Sequence, residues 1–310
     1  GGDLVDTMIM FEEFGKGLVL EPTLSSLVLF AGALELAGSD EHKHHYLPAL
    51  GAGDLTGCLA YVEADEPTNF NFVATTALKT GDHYQLNGTK SVVLNAASAD
   101  VILVSARTEG QATDPRGISL FLVPGDSEGL LRKDYPTVDG LRASEVLLEN
   151  VRVPASALVG AEGAASQTLN TVINRGILAI SAEAVGAMAV LYQSTIDYTK
   201  QRVQFDHPLS EFQVVKHRLT EMFIEYNLAK SLCMKATMLL NQNSGDAQRH
   251  IHALKFLIGK TSRFVGQNAV QLHGGMGMTE DLAIAHYFKR LMMIDATFGH
   301  TDIHLDAFVQ

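Results

Sequence analysis

The sequence predicts an α+β chain in three blocks: a partial helical N-terminal domain, an antiparallel β-barrel, and a C-terminal four-helix bundle. Three observations predict this. Apolar residues recur at helical spacing up to about Ala52. Short β-branched runs, broken by Gly, Pro, Asp and Asn, fill the stretch from Leu55 to Pro154. Long helical patterns with few breaks then run to the end. The expected boundaries are 1–54, 55–156 and 157–310.

The elements follow in order. Leu4-Val5, Met8-Ile9 and Phe11, interleaved with polar positions, predict an amphipathic helix ending at Gly15. Leu24 to Leu36 is almost wholly apolar with small residues among it, which predicts a helix buried on most sides. Ser39-Asp40-Glu41 caps a polar helix that Leu47-Pro48 should stop. In the middle block Asn87-Gly88 is a hairpin signal. Runs at Ser91–Leu94, Val101–Ser105, Ile118–Pro124 and Glu145–Leu148 have no ten-residue helical pattern between them, so barrel or sandwich is expected rather than βαβ units. Helices are then expected at 167–201, 208–242, 247–273 and 279–295.

Composition excludes several classes. Hydrophobic residues at 46% and charged residues at 19% are the balance of a globular chain, not a disordered one. A formal charge of −12 disfavours a phosphate backbone, so nucleic acid is not an expected partner. Acidic residues and glycines cut every long apolar run, which argues against a membrane span. Cys58 and Cys233 match no zinc spacing and read as reduced, buried thiols; with no signal peptide visible, the expected compartment is the cytoplasm. The chain opens at Gly1-Gly2-Asp3 without a starting Met, so a preceding segment is expected.

Several clusters invite chemistry. His42, His44 and His45, and separately His300 with His304, have metal-like spacing but lack a completing ligand, so no metal is expected. His273-Gly274-Gly275-Met276-Gly277 follows a helix rather than a strand, which argues against a dinucleotide fingerprint. Two readings remain for it: an interhelix turn, or close backbone approach to a ligand. Arg202, one turn after Tyr198, offers a guanidinium to a phosphate, with Phe205 as an apolar plate; the alternative is a helix-end cation beside core aromatics. Glu183 lies mid-helix among apolar residues, where a carboxylate is either ion-paired or proton-tuned.

Taken together these segments resemble the acyl-CoA dehydrogenase family. The pieces are Leu47–Asp54, Ala60-Tyr61-Val62-Glu63, Leu86–Lys90, Val151–Pro154, Tyr198–Phe205 and Gln271–Gly277, in order over nearly the whole chain. Asp134–Gly140 and Phe298-Gly299 look like the branch that includes pimeloyl-CoA dehydrogenase small subunits. The resemblance implies α,β-dehydrogenation of an acyl-CoA to the trans-2-enoyl-CoA with FAD as cofactor. It also implies an electron-transfer flavoprotein-type acceptor and a homo- or hetero-oligomer, expected to have four chains. By resemblance Arg202, Phe205 and Gln213 hold the diphosphate and adenosine end of a neighbouring subunit's FAD, and Gln271, Gly274 and Gly275 approach it. Thr68 takes the place of a serine that hydrogen-bonds flavin, and Val92-Val93-Leu94 stands where the family has an aromatic and a hydroxyl.

The family's carboxylate base falls at Gly299 in most members and at Gly176 in a minority, counting from Arg290 and Phe205. Glu183, slightly favoured because it lies on a helix that the resemblance places along the acyl pocket, and Asp302 are the replacement candidates. Three functions stay open: an active dehydrogenase, a subunit that completes a partner's flavin site in a heteromeric enzyme, and a non-redox acyl-CoA-binding scaffold.

Overall fold

The structure is a computed structural model that describes residues 2–309. The chain forms two compact units. One is the stretch Leu20–Gly176; the other joins the residues up to Val19 with those from Ile177 onward.

In the first unit a π-helical segment, Leu24–Phe30, runs directly into α2 (Ala31–Ala37), burying Leu29, Phe30, Ala33 and Leu34. The apolar run thus becomes a helix, but it is buried on one face rather than on most sides, since Leu27 and Leu36 are exposed. Ser39 caps α3 (Asp40–Ala52), its Oγ accepting from the His42 amide. The helix does not stop at Pro48 but continues to a left-handed Gly53. Proline removes one ladder bond. His44 and Pro48 are both exposed, so solvent reaches the carbonyl that loses its partner.

Eight strands follow: β1 (Gly57–Ala60), β2 (Thr76–Thr80), β3 (His83–Leu94), β4 (Val101–Arg107), β5 (Ile118–Pro124), β6 (Leu130–Pro136), β7 (Arg142–Pro154) and β8 (Leu158–Val159). The sheet order is β6-β7-β3-β2-β4-β5-β8, with β1 attached to β4. The expected closed antiparallel barrel is corrected on two counts. Among the described residues no pairing joins β6 to β8, and β4 pairs in parallel with both β1 and β2. The edges explain the opening: β6 presents exposed Arg132, Lys133 and Asp134 and ends at Pro136, while β8 has only two residues. Asn87-Gly88 is not a hairpin turn either. Thr80 pairs with His83 around Gly81-Asp82, and Gly88 lies inside β3 at a register shift. A Cβ on Gly88 would sit 2.5 Å from Thr75 Oγ1, so this glycine serves close approach rather than chain reversal.

The second unit contains α1 (Leu4–Gly17), most of α4 (Ser166–Gln201), a short hairpin of β9 (Val203–Gln204) and β10 (His207–Pro208), then α5 (Gln213–Asn241), α6 (Ala247–His273), α7 (Ala283–Ala296) and α8 (Thr301–Val309). Helix α1 passes through Gly15 instead of ending there. A Cβ on Gly15 would lie 1.9 Å from the Glu183 carbonyl, and one on Gly186 would lie 1.9 Å from that of Glu12. The backbones of α1 and α4 therefore meet through these glycines. On α6, Ile251, Leu254, Ile258, Val265 and Ala269 form one buried stripe, each full-sized side chain contributing about 1.5–3 kcal/mol. That helix packs on α5, α7 and α8, so the C-terminal stretch has one helix more than the four expected. Helix α4 is apolar and long enough to cross a membrane, but 78% of its most apolar window is buried within the protein, as in a core helix.

Candidate functional site

Tyr198, in the last turn of α4, stacks on His273 at the end of α6, with ring centroids 4.3 Å apart. Its hydroxyl also donates to the His273 carbonyl at 3.4 Å. These contacts bring the two helix ends together. Arg202 follows α4, its amide bonded to Tyr198 O and its carbonyl accepting from the Leu209 amide, which closes the base of the β9–β10 hairpin. At the tip, Phe205 and Asp206 have φ of 53° and 64°. Two successive left-handed residues make a primed turn without the usual glycine. For a bulky residue this conformation costs about 1–3 kcal/mol. Phe205 is 85% exposed, and its ring meets Phe212 edge-on at 6.3 Å. Gln213 opens α5 and is also exposed.

Gln271 is exposed in the last turn of α6. Gly274 has φ 62° and ψ −143°, a conformation essentially confined to glycine, so the turn itself requires it. Gly275 has no such need. A Cβ on either glycine would meet nothing within 4 Å. Arg202 makes no side-chain hydrogen bond or ion pair among the described residues. One end of this unit thus presents a bare guanidinium, an uncovered aromatic ring and glycine backbone facing open space. These suit the diphosphate and adenosine end of a dinucleotide.

Thr68 lies exposed in the loop between β1 and β2, and its hydroxyl makes no described hydrogen bond. The base of that loop is strongly organised. Glu63 accepts from the amides of Ala74 (2.8 Å) and Thr75 (3.0 Å) and from Lys90 Nζ (2.6 Å). Burial pushes the Glu63 carboxyl up, but Lys90 and the Thr75 amide outweigh it and hold the group below its usual range. Burial pushes the Lys90 amine down to about 8. Arg107 donates to the carbonyls of Asn71, Val73, Ala112, Asp114 and Arg116. Further along, Ser91-Val92 forms a bulge in β3, with Val92 at φ 51° and exposed. Glu145 holds it, accepting from Ser91 Oγ at 2.8 Å.

Glu63 and Lys90 entered the sequence reading only as parts of matching segments, with no role of their own, and Arg107 did not enter it. The signal existed for Lys90: it shares strand parity with Tyr84 and Leu86, both buried.

Glu183 is buried in α4 and bound bidentately by Arg290 of α7, Nε to Oε1 at 2.5 Å and Nη2 to Oε2 at 2.8 Å. Asp302 is exposed in the first turn of α8, with no described side-chain partner. Gly176 is buried in α4, and Gly299 is left-handed at φ 93° in the turn before α8. Among the histidines with metal-like spacing, His42 bonds the Ser156 carbonyl, His44 the Asp40 carbonyl, and His304 both His252 and the Phe298 carbonyl. Among the described residues no group of three His, Cys, Asp or Glu is placed to hold a metal ion.

Comparison with known proteins extends this geometry. Residues 58–151 match the middle domain of acyl-CoA dehydrogenases and residues 157–310 their C-terminal domain. The long-chain specific acyl-CoA dehydrogenase of Sus scrofa mitochondria is 30% identical over 93% of this chain and 68% of its own length. Butyryl-CoA dehydrogenase from Megasphaera elsdenii superposes with a TM-score of 0.92 at 25% identity, covering 100% of this chain and 82% of that one. An FAD complex of PigA does so with a TM-score of 0.93 at 28% identity, covering 99% and 82%. Sequence profiles in chain order, a relative aligned over most of both chains and a fold shared along the whole of this chain converge, and the chain belongs to the acyl-CoA dehydrogenase family of oxidoreductases.

Proposed function

We propose that this chain carries out FAD-dependent α,β-dehydrogenation of an acyl-CoA thioester, giving the trans-2-enoyl-CoA and passing electrons to an electron-transfer flavoprotein-type acceptor. The observation that carries the reading is the open face made by Arg202, Phe205 and Gly275. Bound FAD supplies a hydride acceptor for the substrate's β-carbon. Arg202 pairs with its diphosphate, Phe205 provides the apolar plate for the adenosine end, and Gln213 and Gln271 offer hydrogen bonds. Gly274 and Gly275 allow close backbone approach, and the Thr68 hydroxyl bonds the flavin. The adenosine-end residues serve FAD bound to a neighbouring copy, so the active form is an oligomer, with four chains expected.

The remaining step is removal of the substrate's α-proton by a carboxylate. Both oxygens of Glu183 already accept from Arg290, so this pair is assigned a structural role. Asp302 is exposed without a described partner and is the proposed base. The segments Asp134–Gly140 and Phe298-Gly299 favour the branch that includes pimeloyl-CoA dehydrogenase small subunits.

The test begins with flavin per chain in the purified protein, followed by anaerobic single-turnover reduction with a series of acyl-CoA thioesters. Asp302→Asn should slow flavin reduction by at least about 100-fold with FAD retained, the scale of losing a general base. Glu183→Gln should lower stability far more than it slows reduction. Flavin-loaded, unmutated protein that no acyl-CoA reduces would sink the proposal.

A further inference from the structure

We propose that the buried Lys90–Glu63 pair is a positioning clamp, shaping the exposed 64–69 segment so that Thr68 is presented to the flavin. This rests on the flavin reading of Thr68 given above.

Glu63 reaches eleven and twelve residues ahead to the amides of Ala74 and Thr75, so a single carboxylate closes the loop at its base. Lys90 ties that carboxylate to the sheet: Nζ donates to Glu63 Oε1 at 2.6 Å and to Ser105 Oγ of β4 at 3.0 Å. Arg107, also on β4, fastens the returning limb at Asn71 O (3.3 Å) and Val73 O (2.9 Å). Tyr61 and Phe70 pack edge-on at 5.5 Å across the same closure. Above it, residues 64–69 are all exposed. The bonds recorded within that crown are local, such as the Asn69 amide to Glu66 O at 3.1 Å. The crown therefore takes its shape from its base.

Stability alone does not explain such a pair. Two buried ions cost several kcal/mol each to desolvate, and an apolar pair of similar volume is often as stable. What an ion pair adds is direction: it fixes which amides Glu63 faces. Lys90 is faced by Glu63, Ser105 and Arg107, the last offset by Asp114. As pH rises through about 8 the amine loses its proton and the clamp loses its charge assistance.

The test uses the full chain and the double variant Glu63→Gln/Lys90→Met, which removes both charges of the pair together. Amide hydrogen exchange across residues 62–75 is measured without flavin, and FAD affinity from neutral pH to about pH 9. The double variant should fold, exchange about tenfold faster over Asp65–Asn69 and bind FAD about tenfold more weakly, the scale of one charge-assisted bond. The unmutated protein should lose FAD affinity above about pH 8, and Lys90→Arg, which stays charged, should flatten that profile. Either single result keeps the clamp testable if the other variant fails to fold. A folded double variant with unchanged exchange and FAD affinity overturns the proposal. Thr68→Ala separates the two claims. If it leaves FAD affinity unchanged while the double variant still loosens the loop, the flavin reading of Thr68 fails and the clamp stands.

Discussion

Arg202 and Arg290 carry the same guanidinium in opposite circumstances. Arg202 is exposed and makes no described side-chain contact, so its value lies in what it would bind. Arg202→Ala should weaken FAD binding by about 2–4 kcal/mol, and Arg202→Lys should restore only part, because the planar fork is lost. Fluorescence titration decides it; unchanged occupancy with lower thermal stability would make Arg202 merely a helix-end cation. Arg290 is buried against Glu183. Arg290→Met alone should cost about 3–5 kcal/mol in urea unfolding, and adding Glu183→Leu should recover most of it, since the penalty is an unpaired buried charge. The sequence showed that Glu183 sat in apolar company and needed a partner or a task. It did not show the partner, because Arg290 lies more than a hundred residues away and nothing local points to it. Phe205 was legible as part of an unusual run but not as a turn residue: Asp206 tolerates left-handed backbone, whereas a bulky Phe rarely adopts it.

The contact of α6 with α8 is where pH should be felt most. His304 donates from Nε2 to the Phe298 carbonyl at 2.9 Å, so its Nδ1 accepts from His252 Nδ1 at 3.0 Å. Burial holds the His304 pKa down at about 4; the Phe298 bond and Asp295 oppose this, while Lys255 and His252 add to it. The unfolded chain takes up this proton near its ordinary value of about 6.5, the folded chain only near 4. Between those values the unfolded state binds more protons, so stability falls as pH is lowered through the window, by about 3 kcal/mol at its lower end. Urea midpoints at neutral pH and near pH 4 should differ less in His304→Gln than in the unmutated chain. Parallel shifts in both would show that acid acts elsewhere. Helix α6 itself was fully legible, because its stripe is strictly periodic and its ends are marked. Helix α8 was not, being short and placed after a glycine turn that reads as an ending. The Asn87-Gly88 signal misled because a glycine needed for close approach looks the same in sequence as one needed for a turn.

Over the whole molecule, the order helices, strands, helices was legible because hydrophobic period changes at each border. Which helices share a core was not, since period reports only local neighbours. Val214, Ile224, Leu228, Met234 and Met238 are exposed along α5. A second copy is the proposed cover, consistent with an FAD site completed between subunits. Sedimentation at micromolar concentration should give a dimer or a four-chain species; a monomer retaining one FAD per chain would refute it. One further consequence comes from Gly15 and Gly186, where α1 and α4 meet backbone to backbone. A protein is made from one end, and the partners of this contact are separated by more than half the chain. Leu20–Gly176 leaves the ribosome as one uninterrupted piece and can settle while synthesis continues. Helix α1, made before it, has no glycine-lined seat until Gly186 has emerged. Helix α1 is therefore made ahead of that piece but docks only after it, and any bulkier residue at position 15 or 186 would leave it without a place to land.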